Sequence, residues 1–217
     1  NCARIPTYET ADLKDEQLCT TGTCLDEIML KDLDEKIKLL PAEQRTKGIV
    51  IVLHQMGSHG PAYYKRSPSA LKQFLPECTS NVLQECKKQE LINAYDNSII
   101  YLDHFLHQTI EWQKARKDQY AMSMVYLSDH GESLGENNIY LHGLPYAIAP
   151  SVQKKVPWIT WLAPEFQKQR GIDQKCLNKI TDQKLSHDYL FHSVLGLMNI
   201  QTKEYQKPLD IYSTCTK

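Results

Sequence analysis

The sequence predicts an α/β fold. Short apolar runs that contain β-branched or aromatic residues are typical of buried strands, and three are present at residues 48–53, 122–127 and 156–162. Between the first two lies a long stretch, from about Glu90 to Arg116, in which apolar residues recur at the spacing of one helix face. A strand, a long helix and a second strand in this order predict a right-handed crossover into a parallel sheet.

Two further helices are predicted around this core. Apolar residues recur at helical spacing from Asp26 to Leu40, and Pro41 ends the pattern. A closing helix is predicted from Ser186, a good N-cap residue, to Leu197. We find no repeat or domain break, so the sequence predicts a single partial domain over residues 1–217. Residues 1–24 are its disulfide-linked N-terminal loop and residues 25–217 its α/β core.

Composition limits the possible partners. The formal net charge of −1 gives no argument for a nucleic-acid partner. No apolar run approaches the ~18 to 20 residues that a membrane span requires. The chain begins at Asn1 with no initiator Met, which we interpret as the start of a processed or truncated piece of a longer protein.

The cysteines favour an oxidising compartment. Seven are present: Cys2, Cys19, Cys24, Cys78, Cys86, Cys176 and Cys215. The second and third enclose a short polar loop, as do the fourth and fifth, and this spacing favours structural disulfides over metal ligation. The last two are candidates for closing the C-terminal region, although sequence does not fix connectivity. The first is left over and predicts a partner outside this chain. The competing interpretation, seven reduced thiols in cytosol, predicts full alkylation of the native protein.

The most informative stretch follows the second predicted strand and reads Ser-Asp-His-Gly-Glu-Ser-Leu-Gly-Glu at residues 128–136. Ligands of open α/β sheets bind at the carboxyl ends of strands, which is where Asp129 and His130 are expected. A carboxylate and an imidazole are suitable ligands for a divalent metal. The alternative is that Asp129 caps a turn and His130 packs against it. For this pair alone the two interpretations carry equal weight.

A second loop favours the metal site. The first predicted strand runs into His-Gln-Met-Gly-Ser-His-Gly-Pro at residues 54–61. Glycine is favoured where the backbone takes a positive φ or approaches a ligand closely. Four of the nine glycines lie in these two loops, namely Gly57, Gly60, Gly131 and Gly135, and a fifth, Gly143, follows the second loop closely. The clustering therefore indicates a site more than it indicates ordinary turns.

Together these motifs resemble the lipid A phosphoethanolamine transferases. The matching residues are the two loops above, Tyr-Leu-His-Gly at 140–143 and Asn-Ala-Tyr-Asp-Asn at 93–97, in the order of the family and with both short cysteine loops. Members are inner-membrane enzymes whose periplasmic catalytic domain has the alkaline phosphatase and sulfatase fold. The resemblance implies a three-layer α/β/α sandwich with a mostly parallel sheet, of which this chain is the C-terminal two-thirds.

The resemblance also implies a reaction. Phosphoethanolamine passes from phosphatidylethanolamine, through a phosphothreonine intermediate, to a phosphate of lipid A, and this weakens the attraction of polymyxins such as colistin. By position, Asp129 and His130 correspond to ligands of the catalytic zinc. His59 and His142 correspond to the pair that contacts the transferred phosphoryl group or a second zinc. The implied location is the periplasm, with membrane attachment through a domain absent from this chain.

Two features of the family are not found in the sequence. They are the nucleophilic Thr, which lies in a Ser-Thr segment before a Cys, and an upstream Glu that ligates zinc. We therefore expect the isolated chain to lack transferase turnover. Two alternatives remain: a phosphoglycerol transferase or sulfatase of the same superfamily, and a non-catalytic periplasmic binding module.

Overall fold

The structure, a computed structural model, describes residues 5–10, 13, 15–20 and 23–217. Its strands in this part of the chain are β1 (Cys19–Thr20), β2 (Thr23–Cys24), β3 (Ser123–Leu127), β4 (Ser133–Leu134), β5 (Tyr140–Leu141) and β6 (Trp158–Leu162). Its α-helices are α1 (Leu33–Lys38), α2 (Ala42–Arg45), α3 (Lys88–Lys114), α4 (Ser151–Lys154), α5 (Pro164–Arg170), α6 (Gln174–Leu177) and α7 (Asp188–Leu197). The strands pair as β1 with β2, β3 with β6, and β4 with β5, and all three pairs are antiparallel.

The chain divides into two compact units. The first contains Asn1–Thr109 and His130–Lys155, and the second contains Ile110–Asp129 and Val156–Lys217. No finding tests the sequence-based assignment of a single partial domain, which stays a prediction.

The second unit is built around the β3–β6 pair. All five residues of β3 have partners in β6, with Val125 opposite Thr160. The buried cluster beside this pair combines residues from the end of β6, α5, α7 and the C-terminal segment: Leu162, Ala163, Phe166, Ile172, Leu197 and Tyr212. The Tyr212 hydroxyl lies 2.8 Å from the Thr160 hydroxyl, which joins the C-terminal segment to the sheet.

The core of the first unit forms along α3. Leu91 and Ala94 of this helix pack with Tyr63, Cys78 and Leu83. The β4–β5 hairpin adds partly buried side chains to this cluster, namely Leu134, Tyr140 and Leu141. The hairpin therefore rests on the same core that orders the helix.

Most predicted elements of regular structure are present. The predicted long helix corresponds to α3, the second and third predicted strands to β3 and β6, and the closing helix to α7. The predicted helix from Asp26 to Leu40 is divided: a 3₁₀ turn spans Asp26–Leu30, and α1 follows. Asp32, between them, has a φ of +55°, a left-handed conformation that interrupts a right-handed helix.

The predicted strand at residues 48–53 does not form. It has no strand partner among the described residues, and the strand pairs that do form are antiparallel, so the predicted parallel pairing with residues 122–127 is also not present there. A strand is stabilised mainly through its neighbours, so high β-propensity alone is not sufficient.

Three disulfides link the described cysteines: Cys19–Cys24, Cys78–Cys86 and Cys176–Cys215. The first two are the pairs that the spacing favours, and the third joins the two cysteines that are candidates for closing the C-terminal region. Cys2, for which an outside partner is predicted, lies outside the described residues. In the described part of the chain, no helix combines the length with the apolar character needed to cross a bilayer.

Candidate metal and phosphoryl site

A short hairpin places His142 beside His130. Strand β4 begins three residues after His130, and β5 ends one residue before His142. Because Ser133 pairs with Leu141, the two histidines are brought to the same end of the hairpin. Their ring centroids lie 3.8 Å apart with an interplanar angle of 31°. Gly135 supplies the turn with a φ of +102°, which an L-residue rarely adopts.

Helix α4 supports the β4–β5 hairpin through hydrogen bonds. The Gln153 side-chain amide donates hydrogen bonds to the Ser133 hydroxyl at 2.9 Å and to the Leu141 carbonyl at 3.0 Å. The Gly131 amide donates to the Gln153 carbonyl at 3.0 Å. A Cβ at Gly131 would lie 2.0 Å from the Val152 carbonyl oxygen, so glycine is required for this close approach. The turn that carries His130 is therefore fixed by backbone contacts.

The loop that carries His59 is held by two side chains from other segments. The carboxylate of Asp26 accepts hydrogen bonds from the amides of Met56 and Gly57, both at 2.9 Å. The Arg66 guanidinium donates to the His59 carbonyl at 2.8 Å. Burial raises the pKa of Asp26, although the two amide hydrogen bonds and Arg66 oppose the shift. Burial also lowers the pKa of Arg66, with Asp26 opposing it.

Glu132 connects the hairpin to the His59 loop. Its Oε1 atom accepts a hydrogen bond from the Gly60 amide at 3.2 Å and lies 3.2 Å from Nδ1 of His142. The side chain is only 4% exposed. Its second oxygen, Oε2, is buried with no hydrogen-bond partner among the described residues. Burial, with Glu132 nearby, raises the pKa of Tyr63.

The three histidines form a compact group. One ligating nitrogen from each of His59, His130 and His142 can be chosen so that all three lie within 4.8 Å of one another. The centroid of the His59 ring is 6.1 Å from that of His130 and 5.0 Å from that of His142. The side chain of His142 is 30% exposed, and that of His59 is exposed, so small molecules can reach the group.

Each imidazole has its Nδ1 atom beside an oxygen. The partner of His59 is the Gly60 carbonyl at 2.6 Å, and that of His130 is the Gly131 carbonyl at 3.1 Å. For His142 the partner is the Glu132 carboxylate. A neutral imidazole that donates from Nδ1 carries its lone pair on Nε2, the arrangement found when histidines ligate metals. The donor set therefore fits a borderline divalent ion such as zinc.

The structure brings together three of the four site residues that the sequence identifies. His59, His130 and His142 share one group in the first unit. Asp129 precedes His130 directly, has an exposed side chain and belongs to the second unit. Its role as a metal ligand stays a prediction.

Sequence reasoning missed the residues that position these histidines. Glu132 lies inside the central motif, two residues after His130, and its carboxylate was an available signal. Asp26 and Gln153 are distant in sequence from the histidines that they support, and Arg66 lies seven residues after His59. No local pattern distinguishes these three residues.

Comparison with known proteins identifies a matching family model and several similar proteins. A family model described as Sulfatase matches residues 2–200. Over 217 residues the chain is 46% identical to phosphoethanolamine transferase EptA of Escherichia coli K12, covering 100% of this chain and 39% of the relative. Phosphatidylethanolamine transferase Mcr-1 of Escherichia coli is 41% identical over 203 residues, which cover 91% of this chain and 35% of Mcr-1. The chain thus spans about two fifths of these relatives.

Solved structures give the same result for the fold. The soluble domain of lipooligosaccharide phosphoethanolamine transferase A from Neisseria meningitidis matches with a TM-score of 0.92 and 39% identity. The match covers 100% of this chain and 64% of that domain. The integral membrane form of the neisserial enzyme matches with the same TM-score, and 40% of it is covered.

Proposed function

Because this chain belongs to the sulfatase family and has its α/β fold, we propose that it is part of the catalytic domain of a phosphoethanolamine transferase. The parent protein transfers phosphoethanolamine from phosphatidylethanolamine to a phosphate of lipid A. The observation that carries the proposal is the convergence of His59, His130 and His142 on one group. Identity to named phosphoethanolamine transferases over the whole chain supports the choice of transferred group.

We assign roles to the four residues as follows. Asp129 and His130 ligate a zinc ion. His59 and His142 hold the transferred phosphoryl group, or a second zinc ion, beside it. When bound, zinc polarises phosphoryl oxygens and increases the acidity of a coordinated hydroxyl group. The chain's own residues supply ligand nitrogens and set their direction.

The surrounding side chains orient the imidazoles in this proposal. Backbone carbonyls hold Nδ1 of His59 and His130 at hydrogen-bond distance, and Glu132 does the same for His142. Each ring is thereby turned so that Nε2 is the ligating or donating atom. An imidazole in its protonated form can also donate to a phosphoryl oxygen or to a leaving group.

The covalent step needs a hydroxyl nucleophile, which we assign to a Thr of the parent protein outside these 217 residues. The parent protein is then an inner-membrane enzyme with this domain in the periplasm. Addition of the cationic ethanolamine group to lipid A reduces its negative charge, so we expect the parent protein to confer resistance to polymyxins, including colistin.

The test is transfer to lipid A by the parent protein in cells, measured by mass spectrometry of extracted lipid A. His130→Ala and His142→Ala should each reduce the phosphoethanolamine-modified fraction at least about 100-fold. Loss of a group that stabilises the charge developing in a transition state has an effect of this size. His107→Ala is the matched control, since this exposed histidine lies on α3 outside the group. Full modification by His130→Ala would exclude the proposed site. If the unaltered protein adds glycerophosphate to lipid A, the result would favour a phosphoglycerol transferase. If it adds nothing, the result would favour a sulfatase or a binding module.

A second measurement separates the two metal arrangements. Zinc bound per molecule of the parent protein is determined by mass spectrometry under native conditions. If each of the variants His59→Ala, His130→Ala and His142→Ala loses one ion, the three imidazoles share that ion. If His59 and His142 hold the phosphoryl group, our assignment predicts a different result. His59→Ala and His142→Ala should each retain one ion, and His130→Ala should lose it.

A further inference from the structure

A histidine outside the group of three described above contacts the backbone next to Asp129. Strand β3 ends at Leu127, and Ser128 links the strand to Asp129. The carbonyl oxygen of Ser128 lies 2.8 Å from Nε2 of His187, a residue 59 positions later in the chain. Because a carbonyl oxygen can only accept, the imidazole donates, and Nε2 of His187 carries the hydrogen. All four residues belong to the second unit.

The start of α7 holds His187 in place. Its backbone is in the right-handed helical conformation, with φ −60° and ψ −20°, and its carbonyl accepts a hydrogen bond from the Leu190 amide at 3.0 Å. The Ser186 hydroxyl accepts a hydrogen bond from the Asp188 amide at 3.3 Å. Farther along the helix, Leu197 belongs to the buried cluster of the second unit. The imidazole is exposed, but it projects from a turn that is fixed by these contacts.

The hydrogen bond constrains the residue that follows Ser128. The carbonyl group of Ser128, the amide nitrogen of Asp129 and the Cα atom of Asp129 share one planar peptide unit. A donor that fixes the carbonyl therefore fixes the plane from which the Asp129 side chain projects. Asp129 is exposed, so burial does not fix its carboxylate, and the orientation of its peptide unit matters more.

From these contacts we infer that His187 is a positioning residue for Asp129. Its imidazole donates to the Ser128 carbonyl, and this bond sets the direction in which the Asp129 carboxylate points. The inference rests on the proposed function, in which Asp129 ligates zinc. Groups that orient metal ligands without touching the metal contribute about 10- to 100-fold to metal affinity. His187 acts through one backbone hydrogen bond, so we expect an effect at the lower end of this range.

Two side chains of equal length test the role of the donor. His187→Gln keeps an N–H donor, whereas His187→Met has no donor. In the parent protein, His187→Met should weaken zinc binding about 10-fold, and His187→Gln should retain most of the affinity. Isothermal titration calorimetry with zinc measures both variants. Affinity in His187→Met equal to that of the unaltered protein, or an equal loss in the two variants, would overturn the inference.

Ser186→Ala is the matched control in the same turn. It removes the hydroxyl that contacts the Asp188 amide but leaves the imidazole and its bond to Ser128. Zinc affinity should be unchanged in this variant. A loss as large as that of His187→Met would mean that the start of α7, and not the imidazole, supports Asp129, and this result would also overturn the inference.

Hydrogen–deuterium exchange of the zinc-free parent protein supplies a measurement that needs no metal. In His187→Met, amides of residues 128–130 should exchange about 2- to 10-fold faster, which corresponds to the loss of one ordinary hydrogen bond. His187→Gln should exchange like the unaltered protein. Unaltered exchange in His187→Met would contradict the inference. If the unaltered protein binds no zinc, the proposed function fails, whereas the exchange measurement still decides whether His187 holds this turn.

Discussion

Two apolar segments each lead to a histidine of the site, yet only one is a strand. Ser123–Leu127 pairs along its whole length with β6. Gly48–Leu53 forms no strand and has no backbone partner beyond Gly48 among the described residues. Both are rich in residues that favour strands, so local preference does not explain the difference. The comparison teaches that strand formation here depends on the availability of a neighbouring strand.

The two loops differ in the same way. The turn with His130 is held by its own hairpin and by α4. The loop with His59 is held by side chains from separate segments, Asp26, Arg66 and Glu132. The side-chain contacts of α4 with the hairpin span 12 and 20 residues, whereas the contacts that hold the His59 loop include spans of 31 and 72 residues. Substitutions can therefore show whether the two segments and their loops differ in stability as they differ in structure.

The largest expected effect is at Met124. This β3 side chain is 8% exposed, so Met124→Ala should lower the free energy of unfolding of this chain by about 2–5 kcal/mol. Val52→Ala, at a position 79% exposed, should change it by less than about 0.5 kcal/mol. Urea unfolding followed by circular dichroism measures both. Equal costs would remove the contrast between the segments.

A smaller effect is expected at Gln153, which supports the His130 turn. Gln153→Ala leaves the buried Ser133 hydroxyl and the Leu141 carbonyl without their donor. We expect a loss of about 1–3 kcal/mol in the free energy of unfolding. Gln183→Ala, at an exposed position, is the control and should be neutral. If the two variants unfold at the same urea concentration, α4 does not stabilise the hairpin.

Glu132 tests the link between the loops. In the parent protein, Glu132→Ala should reduce the phosphoethanolamine-modified fraction of lipid A about 10- to 100-fold, because His142 loses the group that orients its ring. Glu132→Gln keeps an oxygen acceptor and should lose less. Glu136→Gln, on the exposed turn of the same hairpin, controls for charge. Mass spectrometry of extracted lipid A measures the modified fraction. An unchanged modified fraction in Glu132→Ala would show that His142 is oriented by other contacts.

The smallest effect concerns pH. Burial, together with the hydrogen bond that its hydroxyl donates to Asp210, raises the pKa of Tyr205 to about 12. An unfolded tyrosine loses its proton near pH 10, so the unfolded chain binds fewer protons between these values. Stability should therefore fall as the pH rises from about 10 to about 12. Tyr205→Phe should show a shallower decline in urea titrations at each pH, and an identical decline would contradict the assignment.

Sequence reasoning succeeded where the determining contacts are local or carried by a motif. Helix α3 follows from its apolar face, and the hairpin histidines follow from the motif at residues 128–143. It failed at residues 48–53, because pairing depends on chain distant in sequence. It also missed Gln153, since a single glutamine between two loops carries no pattern. Asp32 was missed because most sequences with helical periodicity do not contain a left-handed residue.

The disulfide between Cys176 and Cys215 has a consequence for proteolysis. It closes a ring with a sequence separation of 39 that contains α7 and the buried Tyr212. Such a ring reduces the freedom of the unfolded chain, which stabilises the fold by about 4 kcal/mol in the chain-entropy account. A protease that nicks the exposed stretch after α7 would leave both pieces covalently joined. The cut would become visible on a gel only after a reductant is added.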